Sequence, residues 1–269
     1  MSFDSFHGIK ILNGPHDNPG SGKAFQHEEE YQLFISLINK LENISDPVML
    51  EIGAFWGLWS LVFRKKYESG KNILIEYGSH QLEVGKRNFE LNKYHADFIH
   101  GGIALNNSGT QIRKITDILY TKNSRDGVEG PELDIKSELD ARGITKIDLL
   151  HMDIQGSELA ALELFKQSNL LDTYEIKIIY VATHSALIHS KIKRLMIPLG
   201  FNIEHEDLTF GKLGSTIFRI KRKIKREKFL DFNKNDRAQK IIYFIESKMN
   251  ITGQTSGIGK DGLLVFSRL

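Results

Sequence analysis

The stretch PVMLEIGAFWGLWSLVF, residues 47–63, joins two different patterns through a pair of glycines. Its first part is a short apolar run that ends in a carboxylate, Glu51. Its second part, LWSLVF, spaces apolar residues as a helix does. Gly53 and Gly57 lie between them. A buried strand, a glycine turn and a helix follow from this order, with an acid placed where the strand gives way to the turn.

The same alternation continues on both sides. Upstream, EEEYQLFISLINKLENI (28–44) puts Tyr31, Phe34, Leu37, Ile38 and Leu41 on one helical face, with acids at its start. Asp46-Pro47 is expected to end that helix. Downstream, KNILIEYG (71–78) reads as strand and SHQLEVGKRNFELNK (79–93) as helix. Ser79 is its expected N-cap, and Glu83 stands near a capping-box position. HADFIHGGIAL (95–105) is a strand entering a glycine turn. KIDLLHMDIQG (146–156) and EIKIIYVATHS (175–185) are strands, while SELAALELFKQ (157–167) and ALIHSKIKRLMIPLG (186–200) are helices. FNIEHED, STIFRIK and GLLVFSRL can supply later strands. Residues 1–26 read as a loop or arm, and the polar segment 106–145 as an excursion.

Strands and helices that alternate over 47–200 imply an α/β fold. Its sheet is parallel, with right-handed crossovers and helices on both faces. Near-continuous apolar strands agree, because such strands are covered on both sides. The expected division is an N-terminal arm and helix, 1–46, and a Rossmann-like domain, 47–269, with an insertion at 106–145 and C-terminal strands at 201–269.

The chain has 269 residues, a formal net charge of +2 and no cysteine. The charge makes no case for a polyanionic partner. The missing cysteines exclude disulfides, thiolate metal sites and a Cys nucleophile. The first residues lack a basic stretch followed by an apolar core, and no apolar run reaches the roughly 18 residues of a membrane span. A cytoplasmic protein without a membrane span is expected.

In open parallel sheets, ligands bind beyond the carboxyl ends of the strands. Glu51, Glu76, Gly101-Gly102, Asp153 and Thr183-His184-Ser185 all fall at such ends. Carboxylates gathered there repel one another unless a cation or hydroxyl donors lie between them. The turn GAFWG is not a dinucleotide fingerprint: Phe55 stands where a second glycine would admit a pyrophosphate, and an acid precedes it. S-adenosylmethionine fits better, with its sulfonium, ammonium, single carboxylate and ribose diol. Glu51, Gly53, Ala54, Gly57 and Ser60 are the expected partners of its methionine part. Glu76 can accept both ribose hydroxyls, and Tyr77, Gly102 and Ile103 can flank the adenine.

EIGAFWGLWS, IEYGSHQLEVGKRNFELN, IDLLHMDIQGSELAALE and THS, in this order, resemble the FkbM-type S-adenosylmethionine-dependent methyltransferases. The resemblance runs from about 47 to 200 and is most specific at IDLLHMDIQGSE. It implies a Rossmann-like class I methyltransferase with a mostly parallel seven-stranded sheet. It also implies methyl transfer to a hydroxyl oxygen, often of a sugar or natural product. The chain has Glu76-Tyr77 where many members have Glu-Pro, and its segment after Ala104-Leu105 is longer and more polar.

Such a reaction needs alignment and removal of one proton. Asp153 and His184 are the candidate bases, with Asp153 also near the cofactor. His184 has the better unperturbed pKa, ~6.5. No metal is favoured; the alternative is a divalent ion on Asp153, Glu158 and His184. The expected acceptor is a small molecule or glycan, and association of like copies is compatible with the sequence. Two rivals remain. RIKRKIKREK (219–228) could track phosphates and suit an RNA methyltransferase, but the aromatics that usually interleave with such a patch are sparse. The fold could also serve a non-catalytic binding protein.

Overall fold

The computed structural model describes residues 3–12, 28–103, 130–184, 186–207 and 262–269. Ala104-Leu105, the strand expected at STIFRIK and the basic run 219–228 lie outside them.

The chain opens with β1 (Phe3–Phe6) and β2 (Ile9–Leu12), an antiparallel hairpin. This corrects the loop reading of residues 1–26 over its described part. Helix α1 (Glu28–Ile38) buries Phe34, Leu37 and Ile38, and a 3-10 turn, Asn39–Leu41, ends it ahead of Asp46-Pro47. Then come β3 (Val48–Ile52), α2 (Leu58–Lys66), β4 (Lys71–Glu76), α3 (Ser79–Leu91) and β5 (Asp97–His100). Gly78, not Ser79, is the N-cap of α3, and Glu83 pairs on the surface with Lys86 and Arg87 instead of closing a capping box.

Part of the segment expected to be an excursion is ordered structure. Strand β6 (Gly102–Ile103) pairs in parallel with β7 (Glu132–Leu133), and α4 (Ile135–Ala141) follows, capped by the Asp134 side chain on the Lys136 and Ser137 N–H groups. The remaining elements are β8 (Leu149–Met152), α5 (Glu158–Gln167), α6 (Leu170–Thr173), β9 (Ile178–Thr183), α7 (Ala186–Met196), β10 (Asn202–Asp207) and β11 (Gly262–Ser267). As expected, Pro198 and Gly200 close the chain after α7: a 3-10 turn, Ile197–Leu199, ends at Gly200 with φ 83°.

One seven-stranded sheet has the order β10-β11-β9-β8-β3-β4-β5. The pairs β3–β4, β3–β8 and β4–β5 are parallel, and β10–β11 is antiparallel. Helices flank this mostly parallel sheet, which is the expected α/β class. Strands β3, β4, β8 and β9 are mostly buried and apolar because both sides are covered, whereas the edge strand β10, NIEHED, is polar.

The chain divides into two compact units. The first is Met1–Met152 with Leu164–Ile178. Its core centres on Met49, Leu50, Ile73, Leu149 and Leu150, all fully buried. The hairpin belongs to it, and side-chain amides of α3 satisfy its edge. Asn92 accepts the Lys10 N–H at 2.8 Å and donates to the Lys10 carbonyl at 2.7 Å, while Asn88 accepts the Leu12 N–H at 2.9 Å. An open strand edge is thereby closed without another strand. The second unit is Asp153–Glu163 with Ile179–Leu269, and its core includes Tyr180, Val181, Leu264, Val265 and Phe266.

Gly57 is the N-cap of α2 at φ 72°, and a Cβ there would lie 3.0 Å from Leu74 and 3.1 Å from Phe89. Gly57→Ala is therefore expected to lower stability by about 1–2 kcal/mol from backbone conformation, with further loss from crowding. Urea unfolding measures it; an unchanged midpoint would show that the turn relaxes freely.

Candidate active site

In the first unit the glycine turn is bound to β4. The Gly53 and Ala54 N–H groups both donate to the Ile75 carbonyl, at 2.9 and 3.1 Å, and the Gly57 N–H donates to Ala54 at 2.7 Å. The Phe55 N–H donates to Glu76 Oε2 at 2.7 Å. These N–H groups are spent inside the turn, so they do not form a phosphate cradle. That agrees with the exclusion of a dinucleotide fingerprint.

Glu76 ends β4 and is partly exposed. Its Oε1 accepts the Gly78 N–H at 2.8 Å, so each oxygen is oriented by one backbone donor. An ionised carboxylate has about four acceptor positions. The two backbone bonds take one position on each oxygen and fix its plane. Tyr77 follows Glu76 and, like Gly102 and Ile103, is half-buried; a Cβ on Gly102 would lie 3.1 Å from the Tyr77 ring. Glycine at 102 is what lets that ring lie on the backbone of β6. The Gly101 N–H donates to the Glu76 carbonyl at 3.0 Å, which ties this segment to the end of β4.

Glu51 departs from expectation. It lies within β3 and is 1 % exposed, not at an open rim. Its Oε2 accepts the Ser60 N–H at 3.2 Å, and its Oε1 lies 3.4 Å from His151 Nδ1. A buried carboxylate requires such partners. Trp59 and Phe34 pack beside the ring of the buried His151. Ser60 is also fully buried, its hydroxyl 4.0 Å from Met49 Sδ. Glu51 and Ser60 thus support the turn from inside, and Ala54 is buried at 5 % exposure.

The second unit contains the other cluster. Asp153 directly follows β8 in the chain, Glu158 is the first residue of α5, and His184 directly follows β9. His184 Nδ1 lies 2.7 Å from Glu158 Oε1, and Nε2 lies 3.3 Å from Asp153 Oδ1. His184 and Glu158 are buried, whereas the Asp153 side chain is 41 % exposed. Gln155 donates to Asp153 Oδ1 at 3.2 Å.

Burial acts against a charge on the His184 ring. The Glu158 charge, hydrogen bonds to Asp153 and Glu158, and the Asp153 charge together outweigh it, so the pKa is held well above the ordinary 6.5. The ring therefore keeps its proton at neutral pH. The stability this adds is present below pH 6.5 and is lost as pH rises through the raised value. The unperturbed pKa assumed from sequence does not apply, because two acids surround the ring.

Each of Asp153, Glu158 and His184 offers a ligand atom within 4.8 Å of the others, so the three could also hold a metal ion. Oxygen and imidazole donors suit a divalent transition metal. No helix among the described residues is long and apolar enough to cross a membrane.

A mostly parallel sheet, an acid at the end of β4 and a glycine turn without a phosphate cradle agree with a Rossmann-like S-adenosylmethionine-dependent methyltransferase, the class that the family match shows. The methyltransferase FkbM domain profile matches residues 43–203, more than half of the chain, and the chain belongs to that family. A comparison with curated proteins returned no match. Among solved structures, the chain is similar to precorrin-6y C5,15-methyltransferase from Geobacter metallireducens GS-15, at 9 % identity, 96 % of this chain, 94 % of that chain and a TM-score of 0.46. It is also similar to a SAM-dependent methyltransferase from Thiobacillus denitrificans in complex with S-adenosyl-L-homocysteine, at 12 % identity, 88 % and 91 % coverage and a TM-score of 0.41. A third is the ribosomal protein L11 methylase from Lactobacillus delbrueckii subsp. bulgaricus, at 14 % identity, 66 % and 72 % coverage and a TM-score of 0.41. Family membership rests on the profile match, not on these distant likenesses.

Proposed function

We propose that the protein transfers a methyl group from S-adenosylmethionine to a hydroxyl oxygen of a sugar, a glycan or a small natural product. The observation that carries this reading is Glu76, whose two oxygens are each fixed by a backbone N–H, at 2.7 and 2.8 Å. Such a carboxylate is prepared to accept the two ribose hydroxyls. Gly53, Ala54, Gly57, Tyr77, Gly102 and Ile103 shape the surroundings of the cofactor, with Glu51 and Ser60 as buried supports.

When bound, S-adenosylmethionine supplies an electrophilic methyl group whose leaving group is a neutral thioether. The protein therefore needs no acid for the leaving group. It must orient the acceptor and remove the hydroxyl proton. Alignment is worth effective molarities of about 10⁵–10⁸ M. Asp153 is the group that takes the proton, and the protonated His184 ring, 3.3 Å away, orients its carboxylate. An oxygen acceptor calls for such a base, which is why a hydroxyl is favoured here.

Calorimetry with S-adenosylhomocysteine tests the cofactor site. Glu76→Ala is expected to weaken binding at least about tenfold, since a hydrogen bond to a charged group contributes about 1.5–3 kcal/mol. Equal affinity in the variant and the parent would remove Glu76 from the site. Absence of any binding by the parent protein at high concentration would favour the non-catalytic reading.

The clustering of Asp153, Glu158 and His184 within 4.8 Å supports a second reading, in which a divalent ion polarises the acceptor hydroxyl. Dialysis against a chelator separates the two: a base mechanism keeps its rate, and a metal mechanism loses it until the ion is returned.

A further inference from the structure

We propose that the Phe55 ring is a wall of the cofactor site and that its π face takes the sulfonium of S-adenosylmethionine, so that the protein holds the charged donor more tightly than the neutral thioether left after transfer. The inference deepens the methyl-transfer reading and rests on it for the identity of the ligand.

The sequence pattern offers an acid, Glu51, to the positive part of that ligand. The structure buries this acid at 1 % exposure, against Ser60 and His151. What the turn presents outward instead is an aromatic ring. Ala54 and Gly57 are buried, Gly53 and Trp56 are partly so, and Phe55 is 45 % exposed.

The ring is exposed, but the backbone beneath it is fixed. Phe55 has φ 49°, where a bulky side chain is uncommon. Its N–H donates to Glu76 Oε2 at 2.7 Å, and the next carbonyl, that of Trp56, accepts Asn88 Nδ2 at 3.1 Å. A Cβ at Gly85 would lie 3.5 Å from the Phe55 carbonyl oxygen, so α3 runs close behind the turn. The Phe55 ring stacks on Trp56, with centroids 4.3 Å apart and planes 29° from parallel. All these residues belong to the first unit. A costly backbone conformation persists only where its surroundings impose it, and such positions cluster at ligand sites. A single exposed apolar residue is ordinary; what sets Phe55 apart is the bond from its own N–H to Glu76.

Glu76 is the acid read above as the partner of the ribose diol. In S-adenosylmethionine a single methylene joins the ribose ring to the sulfur. A side chain that begins at the amide bound to Glu76 is therefore within reach of the sulfonium. Trp56 lies against the ring, and its exposed part is left for the ligand. A cation within about 6 Å of a ring centroid is drawn to the negative π face. An arene has a further advantage over a carboxylate beside the sulfur: it holds the charge without competing for the acceptor's proton. Once the methyl group has left, the sulfur is neutral and this attraction ends, which favours release of the product.

Calorimetry on the full-length protein, with S-adenosylmethionine and separately with S-adenosylhomocysteine, tests the proposal. Phe55→Leu keeps an apolar side chain and removes the π face. It is expected to weaken S-adenosylmethionine binding by about threefold to thirtyfold, the range of a cation–π contact, while S-adenosylhomocysteine binding changes little and shows that the variant is folded. Phe55→Tyr keeps the ring and should keep the parent's ratio of the two affinities. Equal losses for both ligands in Phe55→Leu would make the ring an apolar wall only and overturn the proposal. Unchanged affinity for both would place Phe55 outside the site and overturn it as well, with the methyl-transfer reading intact. Binding of neither ligand by the parent protein would overturn that reading and the proposal with it. Where Phe55→Leu fails to fold, NMR of the parent complex decides. Nuclear Overhauser contacts are expected between the Phe55 ring protons and the protons on the carbons bonded to sulfur in S-adenosylmethionine, and their absence overturns the proposal.

Discussion

Replacing Asp148 with alanine is expected to lower the free energy of unfolding by about 3 kcal/mol, near the lower end for breaking a buried ion pair. Asp148 immediately precedes β8 and its side chain is fully buried. Its Oδ2 accepts the Val48 N–H at 2.9 Å, and its Oδ1 receives Lys177 Nζ at 2.7 Å. Lys146 lies 3.3 Å away. The Asp148 N–H donates to the Val48 carbonyl at 2.8 Å, and the Asp148 carbonyl accepts the Ile178 N–H at 3.1 Å. One residue thus joins the beginnings of β3, β8 and β9. Alanine leaves the Val48 N–H without this acceptor, at a cost of about 1–3 kcal/mol. The two lysines are about a third exposed, at 35 and 31 %, and regain water, which keeps the loss from being larger. Asparagine keeps an acceptor for Val48 and should lose less. Urea unfolding with an unchanged slope checks this; a loss below about 1 kcal/mol for alanine would mean that the network is solvated and not structural. Cofactor affinity should not change, because Asp148 stands at the starts of the strands and the proposed cofactor residues follow their ends.

The strands β3, β4, β8 and β9 were legible because burial on both faces demands continuous apolar runs. The turn at Gly53–Gly57 was legible because a strand must reverse direction into a helix within a few residues. Glu51 was misplaced for a physical reason: an acid next to a turn reads as a rim group, and the groups that let it sink are Ser60 and His151, the latter 100 residues along the chain. The hairpin at residues 3–12 was missed because its strands are four residues each, and its edge is satisfied by Asn88 and Asn92 rather than by a strand. Helix α4 was hidden by polar composition, although Asp134 is an ordinary capping residue that could have marked its start. Asp153, Glu158 and His184 were visible as a group, in the alternative metal set, but the way the ring lies between the two acids was not. Sequence spacing cannot tell which ring nitrogen faces which carboxylate, and the raised pKa of His184 depends on both.

Asp153→Asn is expected to slow methyl transfer by about 10²–10⁴-fold, the usual contribution of a positioned acid or base, while stability stays close to that of the parent. The two effects separate because of exposure. With 41 % of its side chain in solvent, Asp153 loses little structure when neutralised, and asparagine can keep the contact from Gln155. What asparagine cannot do is accept a proton as the carboxylate does. His184→Gln should lose a similar factor, and the double variant should lose little more than either alone, because both residues serve one proton transfer. Independent contributions would multiply instead, and would mean that Asp153 and His184 act on different steps. The measurement is transfer of a labelled methyl group to the acceptor that a screen of sugars, glycans and small hydroxylated compounds identifies, with S-adenosylhomocysteine affinity as the control. Full turnover by Asp153→Asn would remove Asp153 from the proton path. A rate restored in Asp153→Asn by an added divalent ion would point the other way, to a metal held there in place of a proton.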